Sequence, residues 1–334
     1  TLIARGAIVG PTPAFLVSAN VAASGKSILV ATAGRLATGR PPAFDGYAVD
    51  DVEMEKRLSA VALAGDPLFL LDNAENGSAI GGPSLDRAIM IQPGGAFRAR
   101  ILGKTEMSPM VPWRTVIAIT GNNLNTKDDA LRRFVPCFLL STMERPETRD
   151  PANYAITRET GLTLDEYVMR ERPRLVAAAL TILRAYVAAG YPKPEPKLTP
   201  MDFPKWELTV RRAIHYATGT DPCGSKSSLE ANDETTLERR RVVAAWRDLC
   251  VLLARPGGLT AREAADEMNA APADDRFKEV REAFPKALRP GTTQVDAGKL
   301  GYILRRHRDA VTPCGTLTVD GERHNIAIWK VSPL

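Results

Sequence analysis

Residues 20–27 read Asn-Val-Ala-Ala-Ser-Gly-Lys-Ser and follow the apolar run Ala14-Phe15-Leu16-Val17. An apolar strand that runs into a small-residue loop ending in Gly-Lys-Ser restricts the fold more than anything else in the chain. It predicts a buried strand, a tight loop and a helix beginning at the end of the motif. In that geometry the backbone N–H groups around Asn20, Ala22, Ala23, Ser24 and Gly25 wrap phosphates. Lys26 reaches the β and γ oxygens, and the Ser27 hydroxyl ligates Mg²⁺. The helix from Ser27 to Ala37 points its positive N-terminal end at the same phosphates. ATP and Mg²⁺ are thus the expected cofactors. The pattern G-x-x-x-x-G-K-[ST] calls for glycine at position 20, where this chain has Asn20, the non-glycine residue that best tolerates φ > 0. A Gly-Lys-Ser turn opening an ordinary surface helix has the same local signature, so the residues downstream carry the decision.

Triphosphate hydrolysis needs an acid for Mg²⁺, a group that orients water, a γ-phosphate sensor and a cation for transition-state charge. Candidates follow in that order. Asp72 ends the apolar strand Leu68–Leu71, where it can serve the metal or act as a turn or N-cap residue. Asn73 follows in place of a second acid, so Glu75 is the substitute for orienting water; its alternative is a solvated loop carboxylate. Asn122 or Asn123, after the strand Val116–Ile119, can reach the γ-phosphate or form a simple turn. Arg132 and Arg133 sit on a short helix before the strand Phe134–Leu140, as arginine fingers acting in trans or as exposed charges.

The alternation of short strands and helices over residues 1–150 predicts an α/β fold with a parallel sheet. Residues 151–255 read as a helical lid or connecting region. There Thr163 and Glu166 form a capping box, and Pro173 opens a helix with Leu175, Val176, Ala179, Leu180, Leu183 and Val187 facing a core. Residues 256–334 read as three helices and a β-hairpin turning at Asp320-Gly321, a winged-helix arrangement. Arg305, Arg306 and Arg308 are expected on the outer face of its third helix, against DNA. A net charge of +5 permits that partner without demanding it. The four cysteines have no C-x-x-C spacing, which argues against zinc and suits a reducing cytoplasm. No apolar stretch approaches membrane-spanning length.

Taken together, Gly25-Lys26-Ser27, Glu55-Lys56-Arg57-Leu58, Leu70-Leu71-Asp72-Asn73-x-Glu75, Arg100-Ile101-Leu102-Gly103-Lys104-x-Glu106, Thr120-Gly121-Asn122-Asn123 and Arg132-Arg133 resemble the ATPase half of primase-helicase replication proteins of bacteriophages and mobile elements. Glu144-Arg145-Pro146-Glu147 and the segment from Arg172 to Tyr186 extend the resemblance, which covers most of residues 10–225. It implies an AAA+-type ATPase, related to superfamily-three helicases, working as a homo-oligomeric ring such as a hexamer in the cytoplasm of a bacterial or phage-infected cell. It also implies a hairpin that carries Lys104 to single-stranded DNA in a central channel. The chain starts at Thr1 rather than Met, and no primase residues occur, so any priming domain is expected upstream. Two other readings stay open: a DNA-binding initiator or loader with little ATPase activity, and a small P-loop kinase or transferase.

Overall fold

The computed structural model describes residues 1–92, 95–98, 107–126, 128–199, 201–226, 234–272 and 274–333. The chain divides into two compact units, Thr1–Glu230 and Ala231–Leu334.

The first unit is built on a five-stranded parallel sheet. Its strands are β1 (Ala14–Ala19), β2 (Ala43–Gly46), β3 (Leu68–Ala74), β7 (Val116–Asn122) and β9 (Phe134–Leu139), in the order β2-β3-β7-β1-β9. β1 pairs with β7 through Phe15↔Ala118 and with β9 through Phe15↔Val135. Both faces are covered, which is why these strands read as continuous apolar runs. Neighbouring residues part to opposite faces with the period of two that a strand imposes. Leu16, Phe69, Leu71, Ile117 and Ile119 join Met54 and Leu58 of helix α2 (Asp51–Ala64) and Leu85 of α3 (Pro83–Ile89). Val17, Leu70 and Ala118 join Val30 of α1 (Lys26–Thr38) on the other side. Because every strand runs the same way, all C-terminal ends open on one edge, and the loops carrying the motifs gather there.

α2 begins and ends as its sequence dictates: the Asp50 carboxylate accepts from the Glu53 N–H at 2.9 Å, and Gly65 closes the helix at φ 68°. β2 is an element the sequence did not announce. It is an edge strand of four residues after Pro41-Pro42, with Phe44 exposed, and so has no apolar run to mark it. Short pairs complete the region: β4 (Ala79–Ile80) with β8 (Asn125–Thr126), parallel, and β5 (Ala96–Phe97) with β6 (Val111–Pro112), antiparallel.

Helix α4 (Ala155–Thr160) precedes α5, which runs unbroken from Leu164 to Ala188 and starts on the expected Thr163–Glu166 capping box. Pro173 lies inside α5 rather than opening a helix, at the cost of one backbone hydrogen bond. The expected inward stripe is also corrected. Leu180 and Val187 are each 48% exposed, and Val168 and Tyr186 are the buried residues of the helix. α5 packs along one narrow side, against α1 and α7 (Arg212–Thr218), so half of its apolar residues find no cover. Arg172 of α5 ties off α1 by donating to the carbonyls of Leu36 (2.9 Å) and Ala37 (3.0 Å). α6 (Pro204–Trp206) leads through a π-helical turn, Glu207–Arg211, into α7.

The second unit contains α8 (Glu234–Leu252), β10 (Leu259–Thr260), α9 (Ala261–Ala270), α10 (Lys278–Ala283) and α11 (Ala297–Arg306). β11 (Val311–Thr312), β12 (Gly315–Arg323) and β13 (Ile326–Ser332) follow. Its sheet is antiparallel, in the order β10-β13-β12-β11. Trp246, Leu249, Ala264, Leu300, Leu304, Leu317 and Trp329 share one core, and the Trp246 indole N–H donates to the Trp329 carbonyl at 2.9 Å. The helix expected from Phe277 to Leu288 stops at Ala283, because Pro285 starts a separate 3₁₀ turn.

The hairpin turns at His324-Asn325, not at Asp320-Gly321. Arg323 pairs with Ile326, and His324 and Asn325 both take positive φ (52° and 60°), the twist that a two-residue hairpin requires. Asp320-Gly321 instead lie inside β12, where the register shifts between Val319 and Glu322 and Gly321 adopts φ 85°. All four cysteines are free thiols. Among the described residues no helix is long and apolar enough to cross a membrane, and no group of His, Cys, Asp and Glu could hold a metal by itself.

Candidate functional site

The site lies at the C-terminal ends of β1, β3 and β7. β1 ends at Ala19, and residues 20–25 turn the chain into α1, whose first two residues are Lys26 and Ser27. Two residues of the loop are left-handed: Ala23 at φ 54° and Gly25 at φ 94°. Open space lies where a Cβ of Gly25 would project. Asn20 does not use the positive φ expected of it. Its amide instead donates to the Ser141 carbonyl and accepts from the Ser141 N–H, both at 2.9 Å. This reciprocal pair of side chain and backbone holds the two chains together just past the last partners of the β1–β9 ladder, Ala19↔Leu139. The Asn20 side chain therefore anchors the loop in a role that glycine cannot fill.

Residues from three separate parts of the chain meet above the sheet edge. Ser27 Oγ donates to Asp72 Oδ1 at 2.7 Å, and Lys26 Nζ donates to Asn122 Oδ1 at 2.7 Å. Lys26 makes no ion pair within 4 Å among the described residues. Burial pulls its ammonium below the ordinary lysine value, and the Asp72 charge works against that shift. A half-buried cation held by a neutral amide keeps its charge for an anion. Ser27 and Asp72 form a hard oxygen pair of the kind Mg²⁺ takes, with the remaining positions left to water and phosphate. The donor set thus fits Mg·ATP.

Thr120 is a member that sequence reasoning passed over. Its buried hydroxyl donates to Asp72 Oδ1 and accepts from the Asn73 N–H at 3.1 Å, fixing the carboxylate from the neighbouring strand. A threonine directly before the Gly-Asn-Asn turn was the available signal. Gly121 is required by close approach: a Cβ there would lie 2.6 Å from Leu124 Cδ2 and 2.8 Å from the Ala74 carbonyl oxygen.

The other candidates stand apart from this group. Asn73 adopts φ 54° at a register shift in β3, with its side chain exposed. Glu75 is exposed beyond the strand, its carboxylate without a hydrogen bond or ion pair to a described residue. Asn123, at φ 48°, donates to Asn76 Oδ1 at 3.0 Å. Arg133 is bound to Asp86 at 2.7 Å, whereas Arg132 is 57% exposed and 3.8 Å from Asp202. Lys104 lies outside the described residues; the flanking strands β5 and β6 are antiparallel.

In the second unit the three arginines do not form one cluster. The Arg305 guanidinium lies over Gly301 on the side facing Ala261, Arg306 lines a cavity, and Arg308 pairs with Asp309 at 3.5 Å.

No family model and no curated protein matches the chain. Among solved structures it is similar to the apo form of the C-terminal region of NrS-1. The match has a TM-score of 0.41 and 14% identity, covering 97% of this chain and 67% of that one. A likeness of that size leaves function to be argued from the residues.

Proposed function

We propose that this chain is an ATP-hydrolysing motor acting on DNA, a helicase or translocase of a replication system that works as a ring. The observation that carries the reading is the meeting of Lys26, Ser27, Asp72 and Asn122 at one sheet edge, 2.7 Å apart in each contact. In this reading Lys26 balances the β and γ oxygens, and Asn122, released from Lys26, takes the γ-phosphate or the attacking water. Asp72 and Ser27, steadied by Thr120, hold the metal. Mg²⁺ when bound supplies charge neutralisation and a template for the phosphates. Arg132, the more exposed of the two arginines, is the candidate for a neighbouring subunit's nucleotide, and Glu75 for ordering water on loop closure. In the second unit, a helix, a short strand, three helices, a second short strand and a hairpin follow one another, an order that supports the winged-helix reading.

Lys26→Ala tests it. The variant should stay folded and lose no more than about 1 kcal/mol, because at the first position of α1 the side chain gives up one hydrogen bond, to Asn122. It should bind ATP roughly 10- to 100-fold more weakly, the scale of one or two charge-assisted hydrogen bonds, and lose DNA-stimulated turnover. Unchanged ATP affinity would remove the foundation of the proposal.

A second reading, an initiator or loader that binds ATP without rapid turnover, is favoured by Asn73. At φ 54° asparagine is well suited, and a water-activating glutamate would cost about 1–2 kcal/mol of backbone strain. Mg·ATP binding with no turnover, with or without DNA, would select it.

A further inference from the structure

The second unit contains a cavity of about 290 Å³ between α8, α11 and the turn carrying Lys286. Lys299, Tyr302, Ile303 and Arg306 reach it from one face of α11, at the i, i+3, i+4, i+7 spacing that puts four side chains in a row. Lys286 and Glu238 close the opposite side and pair with each other at 3.6 Å. Glu238 thereby offsets Lys286, whereas Lys299 and Arg306 make no ion pair within 4 Å among the described residues, Lys299 feeling the Asp296 carboxylate only at longer range. Between them Tyr302 is 65% exposed, a large ring with no cover.

His307 stands at the end wall. His307 is 6% exposed, and its Nε2 is buried without a hydrogen-bond partner among the described residues. A buried polar atom left unpaired is costly and calls for an explanation. Burial pushes the His307 pKa down against the pull of Glu238, and Arg306, Arg239 and Lys286 push it the same way as burial. Burial and these cations favour the neutral ring, whose Nε2 is closed off from solvent behind the wall.

Two cations without an ion pair among the described residues, an exposed aromatic ring between them and this volume suit one chemical class. We propose that the cavity takes a single nucleotide, with its phosphate between Lys299 and Arg306 and its base against Tyr302. The occupant is either a free nucleotide or one unit of a single strand; both present the same phosphate and ring. Arg305 and Arg308, which point elsewhere, take no part. The site is separate from the Lys26 loop and does not depend on it.

The test uses the full chain without ATP, in EDTA, with a 5′-phosphorylated oligothymidylate labelled at its 3′ end. Fluorescence anisotropy is followed against salt. Lys299→Ala and Arg306→Ala should each weaken binding and reduce the log K against log salt slope by about 0.7, the value for one phosphate on a single strand. Tyr302→Ala should weaken binding by roughly 5- to 150-fold, the range for one stacked base. All three side chains are exposed, so these variants should melt like the parent. Thymidine monophosphate that competes at micromolar concentration marks a free nucleotide as the occupant; competition only in large excess marks a strand. Parent-like affinity in Tyr302→Ala overturns the proposal, because it leaves only a charged patch. So does an equal loss in Arg305→Ala or Arg308→Ala, which moves the contact to another side of the helix.

Discussion

Replacing Asn20 with glycine gives the loop the residue its pattern calls for, and it should make the protein less stable. A glycine helps where φ is positive, and Asn20 is not such a position. What it loses is the reciprocal pair to the Ser141 backbone, two hydrogen bonds of 2.9 Å. The residue is exposed, so each bond belongs at the lower end of the usual range, and the pair contributes about 1–2 kcal/mol. The extra chain freedom of glycine costs about 0.5–1 kcal/mol more. The sum, about 1.5–3 kcal/mol, corresponds to a fall in melting temperature of about 3–12 °C for a domain of this size. Two companions divide the effect. Asn20→Ala should show the hydrogen-bond part alone, and Asn20→Asp, which keeps the acceptor for the Ser141 N–H and loses the donor, about half of it. Thermal melts of the three variants beside the parent make the measurement. An Asn20→Gly protein that melts at or above the parent temperature would refute the reasoning and return Asn20 to the role of an imperfect glycine.

Ala23→Gly should act in the opposite sense. Its φ of 54° costs a non-glycine residue about 1–2 kcal/mol, so the change should raise stability by about 0–1.5 kcal/mol after glycine's own entropy is counted, and a clear drop in denaturation midpoint would contradict the loop geometry. Gly121→Ala should cost about 1–3 kcal/mol by overpacking against a backbone carbonyl that cannot yield, and should also weaken ATP binding, because Thr120 and Asn122 flank it; parent-like melting and affinity would speak against that crowding. Asp221 receives Nε and Nη2 of the buried Arg211 at 2.8 and 2.7 Å, and Glu207 remains 3.5 Å from the same guanidinium, so Asp221→Asn should cost about 1.5–3 kcal/mol in urea denaturation, the scale of one hydrogen bond to a charged group. Burial pushes the Asp221 carboxyl up, but the Arg211 hydrogen bonds and the Cys223 N–H outweigh it and hold the pKa below the usual carboxylate value. A depressed native pKa gives stability that is complete above the unfolded value, about 3.9, and is lost as pH falls through the native one. The parent should therefore lose stability below about pH 4 through this group, and Asp221→Asn should lack that part of the acid dependence.

The sheet of the first unit was legible because its strands are covered on both faces. Leu16-Val17, Phe69-Leu70-Leu71 and Ile117-Ala118-Ile119 must all be apolar, and such runs stand out in a sequence. Caps were legible for a related reason: Asp50, Gly65 and Thr163 act on backbone groups within a few residues of themselves. Whatever depends on partners distant in the chain was not. β2 is a strand only because β3 accepts it as an edge. α5 passes through Pro173 because packing against α1 and α7 outweighs one missing hydrogen bond. The hairpin turned at His324-Asn325 because the pairing of β12 with β13 fixed the register and left Asp320-Gly321 to form a bulge. The same division runs through the candidate site. Lys26 and Ser27 follow from the Gly-Lys-Ser motif and Asp72 from a strand end, while the next strand end left Asn122 and Asn123 as alternatives. That Asn20 would clamp Ser141 and that Thr120 would fix Asp72 were decided by strand order, which local sequence does not encode, whereas the parting of Arg305 and Arg306, adjacent on one helix, follows from the helical period itself.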